Sequence, residues 1–487
     1  VTYSNYLSVS GGGSNTSYRL SGNFRSAEGV LLNSGFEQIN GRAGLAHRLL
    51  DDRLELHLGL ASLNRESDFS FTEGFRYASV SNPTAPVQFD NGNFYQPILF
   101  DNFNPVALLE LNTNDGQSSI LNVNTSAVFT LNESFRLRAH YSQQTHSSSF
   151  GEFYSSNSFF RGLNRGGLAR RAFFNSEARI FESYGTYSGT IHENLNLTAT
   201  AGYSYQEYFS EGVTMEMGNL PTNELGYYAI DLSGDRVTGG LNNLFVDSFA
   251  SPDERVIGFF SRLKADFNQN IYADLSLRRE GSTRLGGNNK WGLFPAFSIG
   301  VDITGYWQTD LFSRLTGSVV YGETGTLPDR PGLSAEQYEY SFADGGTVRL
   351  VQSANPDLKW EHKRELNFGL DYGVMNDRLY GRFNLYQVHI SDFIFETYQP
   401  DVQAMIYQNG GEIRTRGWDL YLNYDVFHKS NLQWNTGLIL GGYKSKLLEF
   451  RVEESVAGNP GAPGQGSTTL IRLAVGEEIG QIWGPVF

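Results

Sequence analysis

RLELHLGLASL, residues 53–63, decides how this chain must be read. Leu54, Leu56, Leu58 and Leu60 recur at every second position, and Arg53, Glu55, His57 and Gly59 stand between them. Successive side chains of an extended strand point to opposite faces, so the pattern makes a strand with one dry and one wet face. The same period returns in other stretches. Over 271–278, Ile271, Ala273, Leu275 and Leu277 oppose Tyr272, Asp274, Ser276 and Arg278. Over 256–267, Ile257, Phe259, Leu263, Ala265 and Phe267 oppose Arg262, Lys264 and Asp266. Over 365–374, Leu366, Phe368, Leu370, Tyr372 and Val374 oppose Glu365, Asn367 and Asp371. Over 418–426, Trp418, Leu420, Leu422, Tyr424 and Val426 oppose Asp419, Tyr421, Asn423 and Asp425. Helical periodicity is nowhere sustained.

Composition narrows the class. The 487 residues carry 52 acidic and 37 basic side chains, a formal charge of −15. Such a chain is a poor nucleic-acid binder, because phosphate contacts dominate that affinity. The absence of cysteine excludes disulfide scaffolds, thiolate metal sites and cysteine nucleophiles. Charged residues make up 18%, whereas a soluble surface usually carries about 25–35%. Yet mean hydropathy is −0.35, and no strictly apolar run exceeds four residues. A membrane-crossing helix needs about 18 or more. Strands that meet lipid on one face and water on the other satisfy both observations. The 27 Tyr, 35 Phe and 54 Gly, against 14 Pro, agree with β-structure.

The strands come in pairs. Short polar turns are expected at 11–16, 50–52, 132–134, 192–194, 268–270, 309–311, 375–376 and 428–431. Eight hairpins make about 16 strands. Most connections at the other end are long, as at 65–117, 210–253, 323–362 and 451–469. Short turns at one end and long loops at the other mark an all-β, transmembrane antiparallel β-barrel of the outer-membrane kind. Wet-face Arg, Glu, Asp, Tyr and Asn suit a lumen, and Trp and Tyr toward strand ends suit interfacial girdles. A sandwich or propeller would have short connections at both ends or a repeat of about 40–50 residues. Residues 457–467, rich in Gly and Pro, read as one loop.

Catalytic patterns are missing: no Gly-x-Ser-x-Gly elbow, phosphate loop or His-Glu-x-x-His helix occurs. No enzyme activity, cofactor or metal site is expected. His47 and His57 flank one turn and are read as solvated residues rather than a metal pair. Asp90-Asn91-Gly92-Asn93 and residues 231–235 are rich in oxygen ligands but lack the spacing of a calcium loop, and are read as turns. The loops are rich in aromatics: Phe69, Phe71, Phe75, Tyr77, Phe94 and Tyr95 in one, Tyr205, Tyr208 and Phe209 before another, Tyr338, Tyr340, Phe342 and Trp360 in a third. These rings either pack the loops or grip a sugar or peptide, with Tyr95, Tyr208, Tyr338 and Trp360 the substrate-contact candidates. Arg262, Lys264, Arg278 and Arg382 fall on the wet face, where they either guide anionic groups or, the favoured reading in so acidic a chain, balance Glu365, Asp371, Asp419 and Asp425.

Residues 275–300, LSLRREGSTRLGGNNKWGLFPAFSIG, resemble a signature stretch of SusC/RagA-family TonB-dependent transporters. Arg278, Arg279, Gly281, Ser282, Arg284, Trp291, Gly292, Phe294 and Pro295 keep its pattern, and Glu280 stands where the family usually has Asp. Residues 7–22 (LSVSGGGSNTSYRLSG), 321–328 (YGETGTLP), 355–361 (NPDLKWE), 411–424 (GEIRTRGWDLYLNY) and 479–487 (IGQIWGPVF) agree in the same order. The resemblance implies a 22-stranded barrel with an N-terminal plug, a SusD-like lipoprotein lid, TonB as the energising partner, and import of a glycan or oligopeptide across the outer membrane of a Gram-negative bacterium. By that order residues 1–487 are one part of a barrel, with the plug, about two strands before Val1 and about four after Phe487 outside the sequence. The alternatives are a siderophore or corrinoid receptor and a passive porin.

Overall fold

The computed structural model describes residues 1–97, 101–236, 245–252, 254–307, 311–341, 346–429, 431–450, 454–457 and 471–482. Strands dominate. In order they are β1 (Thr2–Gly12), β2 (Thr16–Glu28), β3 (Gly35–Leu49), β4 (Leu54–Asp68), β5 (Asn112–Thr130), β6 (Phe135–Tyr154), β7 (Leu168–His192), β8 (Leu195–Gly218), β9 (Phe245–Ala250), β10 (Glu254–Phe267), β11 (Ile271–Ser282) and β12 (Trp291–Asp302). Next come β13 (Phe312–Thr326), β14 (Gln337–Ser341), β15 (Thr347–Gln352), β16 (Glu361–Val374), β17 (Leu379–Ser391), β18 (Ile394–Gln399), β19 (Ala404–Asn409), β20 (Glu412–Lys429), β21 (Leu432–Glu449), β22 (Glu454–Ala457), β23 (Ile471–Ala474) and β24 (Gln481–Ile482). Two short helices, α1 (Glu73–Val80) and α2 (Pro105–Glu110), lie between β4 and β5. No helix among the described residues is long and apolar enough to cross a membrane.

One large sheet holds 17 strands: β1 to β13, β16, β17, β20 and β21. The alternation predicts sixteen of them. The seventeenth is β9, which pairs with residues 211–216 at the far end of β8. The chain folds as two compact units. The first is Val1–Phe129, Ala139–Phe181 and Gln206–Asp253, and the second is Thr130–Arg138, Glu182–Tyr205 and Glu254–Phe487.

In the first unit β1 to β5 pair in sequence order, each antiparallel to the next. The register carries Leu20, Ala43, Leu60 and Val123 in one row across β2 to β5. The adjoining row on the opposite face is Ser21, Arg42, Ala61 and Asn122. Among the described residues the apolar face is left bare: Leu58 and Leu60 are 50% and 45% exposed. A soluble protein does not leave so continuous an apolar surface to water, whereas a barrel presents one to lipid.

The second unit repeats the arrangement through β10, β11, β12, β13, β16, β17, β20 and β21. Ala265, Ala273, Ile299, Val319, Phe368, Leu385 and Trp418 form a single outward row. Lys264, Asp274, Ser298, Val320, Asn367, Tyr386 and Gly417 form the row beside it on the inner face. The two faces of 53–63, 256–267, 271–278, 365–374 and 418–426 are thus those the alternation assigns.

Strands reverse at the expected short turns. Asn268 and Gln269 both adopt positive φ, 56° and 60°, as the twist of a tight hairpin requires. Leu50, Asp51 and Asp52 do the same at the β3–β4 turn. Residues 309, 310 and 430, in two other expected turns, lie outside the described residues, as do 458–467 of the Gly/Pro-rich loop. Exposed Tyr306, Trp307 and Trp434 gather at short-turn ends of the second unit, the place of an interfacial girdle.

At the other end the strands run further than expected. β4 continues to Asp68, β8 to Gly218 and β13 to Thr326. Beyond the apolar band both faces are wet, so the period fades while pairing continues. The buried clusters also lie there. In the first unit Phe71, Tyr77, Leu108, Leu109, Tyr154 and Leu168 pack together, and in the second Leu285, Phe294 and Trp360 do. α2 is fixed at its start by Asn104, whose side-chain oxygen accepts the Val106 and Ala107 amides.

Candidate functional site

The inner wall of the second unit is built by β10 to β13, β16, β17, β20 and β21 from charged and amide side chains. Arg262 donates from Nε and Nη2 to Asp274 at 2.9 and 2.5 Å. Arg382 Nε reaches Asp371 Oδ1 at 2.6 Å across β16 and β17. Arg278 donates to Glu280 at 2.8 Å and to Ser204 Oγ at 3.0 Å. Lys363 and Glu365 stand 3.1 Å apart. Three of the four expected wet-face cations, Arg262, Arg278 and Arg382, therefore serve a balancing role. Their partners differ in part from those expected: Asp274 and Glu280 answer Arg262 and Arg278, while Asp425 accepts the Asn435 amide at 2.6 Å. A wall of mutually neutralised pairs offers a passing solute many weak contacts and no single strong one.

At the long-loop end of the same unit, the signature residues divide by face. Arg279, Gly281, Trp291 and Pro295 fall on the outward side, and Ser282, Gly292 and Phe294 on the inward side. Outside, the Arg279 guanidinium lies 5.2 Å from the Trp291 ring centre, and Trp291 stacks on Phe259. An indole beneath an arginine suits a membrane–water interface. A side chain at Gly281 would strike the Trp291 ring at 2.8 Å. Pro295 sits opposite Leu277, one residue before β13 begins to pair with β12 at Ala296, where its missing N–H breaks no β13 ladder bond.

Inside, Phe294 and Trp360 meet edge-on with centroids 5.3 Å apart, over Leu285 and Leu327. Three motif stretches converge on this point. Trp360 Nε1 donates to the Lys290 carbonyl at 3.2 Å, and the Asn288 side chain to Asp357 at 2.9 Å. Arg284 pairs with the buried Glu254 at 2.6 Å and donates to the Pro328 carbonyl at 2.7 Å. Residues 275–300, 321–328 and 355–361 therefore form one structural cluster.

Of the four candidate loop aromatics, Tyr95 and Tyr208 belong to the first unit and Tyr338 and Trp360 to the second. Trp360, at 4% exposure, is enclosed in that cluster. Tyr95 packs edge-on against Phe89, centroids 5.8 Å apart. The Tyr208 hydroxyl donates to Gln206 at 2.9 Å. Tyr338 and Tyr340, in β14, keep exposed rings. Tyr338 donates to Glu336 at 2.8 Å, and that carboxylate raises the phenol above its ordinary range. Phe342 lies outside the described residues.

The polar motifs resolve as turns and clamps. His47 stands opposite Leu56 and His57 opposite Ala46, so the two imidazoles lie on opposite faces of the sheet. His47 bonds Thr16 Oγ1 at 2.7 Å. Residues 90–93 form a turn with Gly92 at φ +82°. Asp235 is buried and accepts from Arg165 and the Gly218 amide at 3.1 and 2.7 Å.

A strand wall with a bare apolar outside, a charged inside, tight turns at one end and long loops at the other is an outer-membrane β-barrel wall. Residues 61–468 match the family model described as TonB dependent receptor-like, beta-barrel, and the chain belongs to that family of Gram-negative outer-membrane proteins. It is 25% identical over 508 residues to TonB-dependent receptor P26 of Formosa agariphila, covering 100% of this chain and 49% of that protein. It is 22% identical over 484 residues to TonB-dependent receptor SusC of Bacteroides thetaiotaomicron, covering 89% and 46%. Among solved structures, the RagAB peptide transporter superposes with a TM-score of 0.80 at 20% identity, over 98% of this chain and 53% of that one. The ferripyoverdine receptor of Pseudomonas aeruginosa gives 0.54 at 13% identity, over 92% and 54%. The chain spans about half the length of the curated relatives it matches.

Proposed function

We propose that the protein of which these residues are part imports an oligomeric nutrient, a glycan or an oligopeptide, across the outer membrane in a TonB-dependent manner. The observation that carries this is the inner wall, whose paired charges and amides suit passage rather than retention. A barrel of 22 strands needs a plug to be selective. We therefore place an N-terminal plug and the remaining strands of a 22-stranded barrel outside these residues. A SusD-like lipoprotein is the proposed lid over the long loops, with exposed Tyr338 a candidate substrate contact. The reading requires no bond-making chemistry.

The closer superposition on the RagAB peptide transporter, with a TM-score of 0.80 against 0.54 for the ferripyoverdine receptor, supports this over the siderophore alternative. Uptake of labelled oligosaccharides and oligopeptides by cells carrying the full-length protein, with and without TonB, tests the reading. Uptake that persists without TonB, together with open-pore conductance in planar bilayers, would instead indicate a porin.

A further inference from the structure

In the second unit the outward face changes character one step beyond the apolar band. The row Ile299, Val319, Phe368, Leu385, Trp418 and Gly442 carries no charge. The next outward row toward the long loops is Phe297, Tyr321, Leu366, Gln387, Arg416 and Lys444, and the row after it holds Glu323, Arg364, His389, Arg414 and Lys446. Basic side chains thus collect where β20 and β21 leave the band. Arg414 stands opposite Lys446, and Arg416 opposite Lys444. Side chains directly opposed across two strands sit about 5 Å apart, and those two positions along one strand about 7 Å apart. Like charges so placed destabilise the pairing.

Carboxylates answer only part of this charge. Glu323 takes Arg364 at 3.5 Å, and Glu478 takes Lys444 at 3.0 Å. Glu412, which faces Glu449 one step beyond, bonds His389 at 3.2 Å. Arg416 donates to the Gln387 amide oxygen at 2.7 Å, a contact that leaves its charge unneutralised. Among the described residues neither Arg414 nor Lys446 stands in an ion pair. A plug cannot supply the missing anion, because this face is turned away from the lumen. Strands that continue the wall past β21 extend the sheet in its own plane and do not cover the face.

Height along the wall decides what does cover it. Below Trp418 the outward side chains of β20 are Leu420, Leu422 and Tyr424, level with Leu440, Leu438 and Thr436 of β21. Trp418 is 40% exposed at the upper edge of this apolar band, the position of an interfacial aromatic. Arg416 and Arg414 lie one and two outward steps above it, about 7 and 13 Å along the strand, among the headgroups of the outer leaflet. We propose that Arg414, Arg416, Lys444 and Lys446 form a binding site for a phosphorylated glycolipid of that leaflet. The four cations hold its phosphates, and its acyl chains lie against Trp418, Leu385 and Leu440. Guanidinium groups take phosphate oxygens bidentately, and the ammonium groups add compact charge. The long stems stay on the apolar surface while the charged ends rise to the phosphate. The site rests on the outward face of an outer-membrane wall and is independent of any cargo.

The test uses the full-length protein, purified in neutral detergent and freed of lipid, titrated with fluorescent diphosphorylated lipid A and with a phosphate-free form of the same acyl chains. The diphosphorylated lipid is expected to bind at least about tenfold more tightly, and to weaken as salt rises from about 50 to 500 mM. R414Q/R416Q should lose about tenfold or more in affinity for it, with R414K/R416K retaining part. R314Q, at the short-turn end of β13, should change nothing. Equal binding of the two lipids overturns the proposal. So does R414Q/R416Q binding like the unmodified protein, or an equal loss in R314Q. A change from dimer to monomer in R414Q/R416Q with lipid affinity intact, read by native mass spectrometry, would make this face an interface between copies and overturns it too. Should the glutamine variant not fold, the phosphate dependence of the unmodified protein decides.

Discussion

Phe294 and Trp360 meet edge-on, 5.3 Å between centroids, and Gly292 lies beneath both. A Cβ at Gly292 would come within 2.5 Å of the Phe294 ring and 3.1 Å of the indole. Gly292→Ala is expected to cost about 1–3 kcal/mol through overpacking. Trp360→Ala, which empties the cluster instead, is expected to cost about 3–5 kcal/mol. Denaturant unfolding of the protein in detergent, followed by tryptophan fluorescence or by the folded band on unheated gels, measures both.

Glu254 and Arg284 should behave differently from Asp371 and Arg382. The first pair is largely buried, with side-chain exposures of 8% and 22%, whereas Arg382 is mostly open to water. Glu254→Gln leaves the Arg284 charge without its partner and is expected to cost about 3–5 kcal/mol. Arg382→Ala should cost less than about 1 kcal/mol. A double-mutant cycle at each pair, read by the same unfolding assay, gives the comparison.

The face assignment of β4 is tested by two substitutions three residues apart. Leu58 is in the outward row with Leu45 and Thr125, and Ala61 is in the inward row with Arg42 and Asn122. Leu58→Arg is expected to destabilise by about 2–4 kcal/mol if it lies near the bilayer midplane, and Ala61→Arg much less. Equal effects in lipid vesicles would contradict the assignment.

Tyr77, in α1, carries an alkaline signature. Burial, with the Asp101 carboxylate that accepts its hydroxyl at 3.1 Å, holds the phenol above the usual range near 10. Its folded-state pKa is raised, so its contribution is fully present below pH about 10 and is lost as pH climbs through the folded value. Tyr77→Phe should flatten the alkaline limb of the stability profile and leave the neutral region's slope unchanged.

The wall was legible in the sequence because lipid and water impose opposite demands on neighbouring residues. Leu54 to Leu60 reported both environments at once. The strand extensions to Asp68, Gly218 and Thr326 were not legible, since water on both faces removes the contrast. The sorting of Trp360 into a core, against Tyr338 left exposed, depends on where Leu285 and Phe294 come to rest, and spacing alone does not carry that. Arg19 and Arg25 share a parity opposite Leu20. It takes the cross-strand register to align them with Arg42 and Arg65.

The pairing of β3 with β4 runs unbroken for its whole length, from Gly35 opposite Asp68 to Leu49 opposite Leu54. Deleting a single codon within that ladder would exchange the two environments for every residue downstream in the strand, sending arginines into lipid and leucines into the lumen. The register shifts of the wall strands in the second unit occur near strand ends, at Phe312/Arg314, Glu412/Ile413 and Asp425/Phe427, where three residues or fewer are displaced. Length variation in this lineage should therefore accumulate in the connections, leaving the wall to diverge by substitution alone.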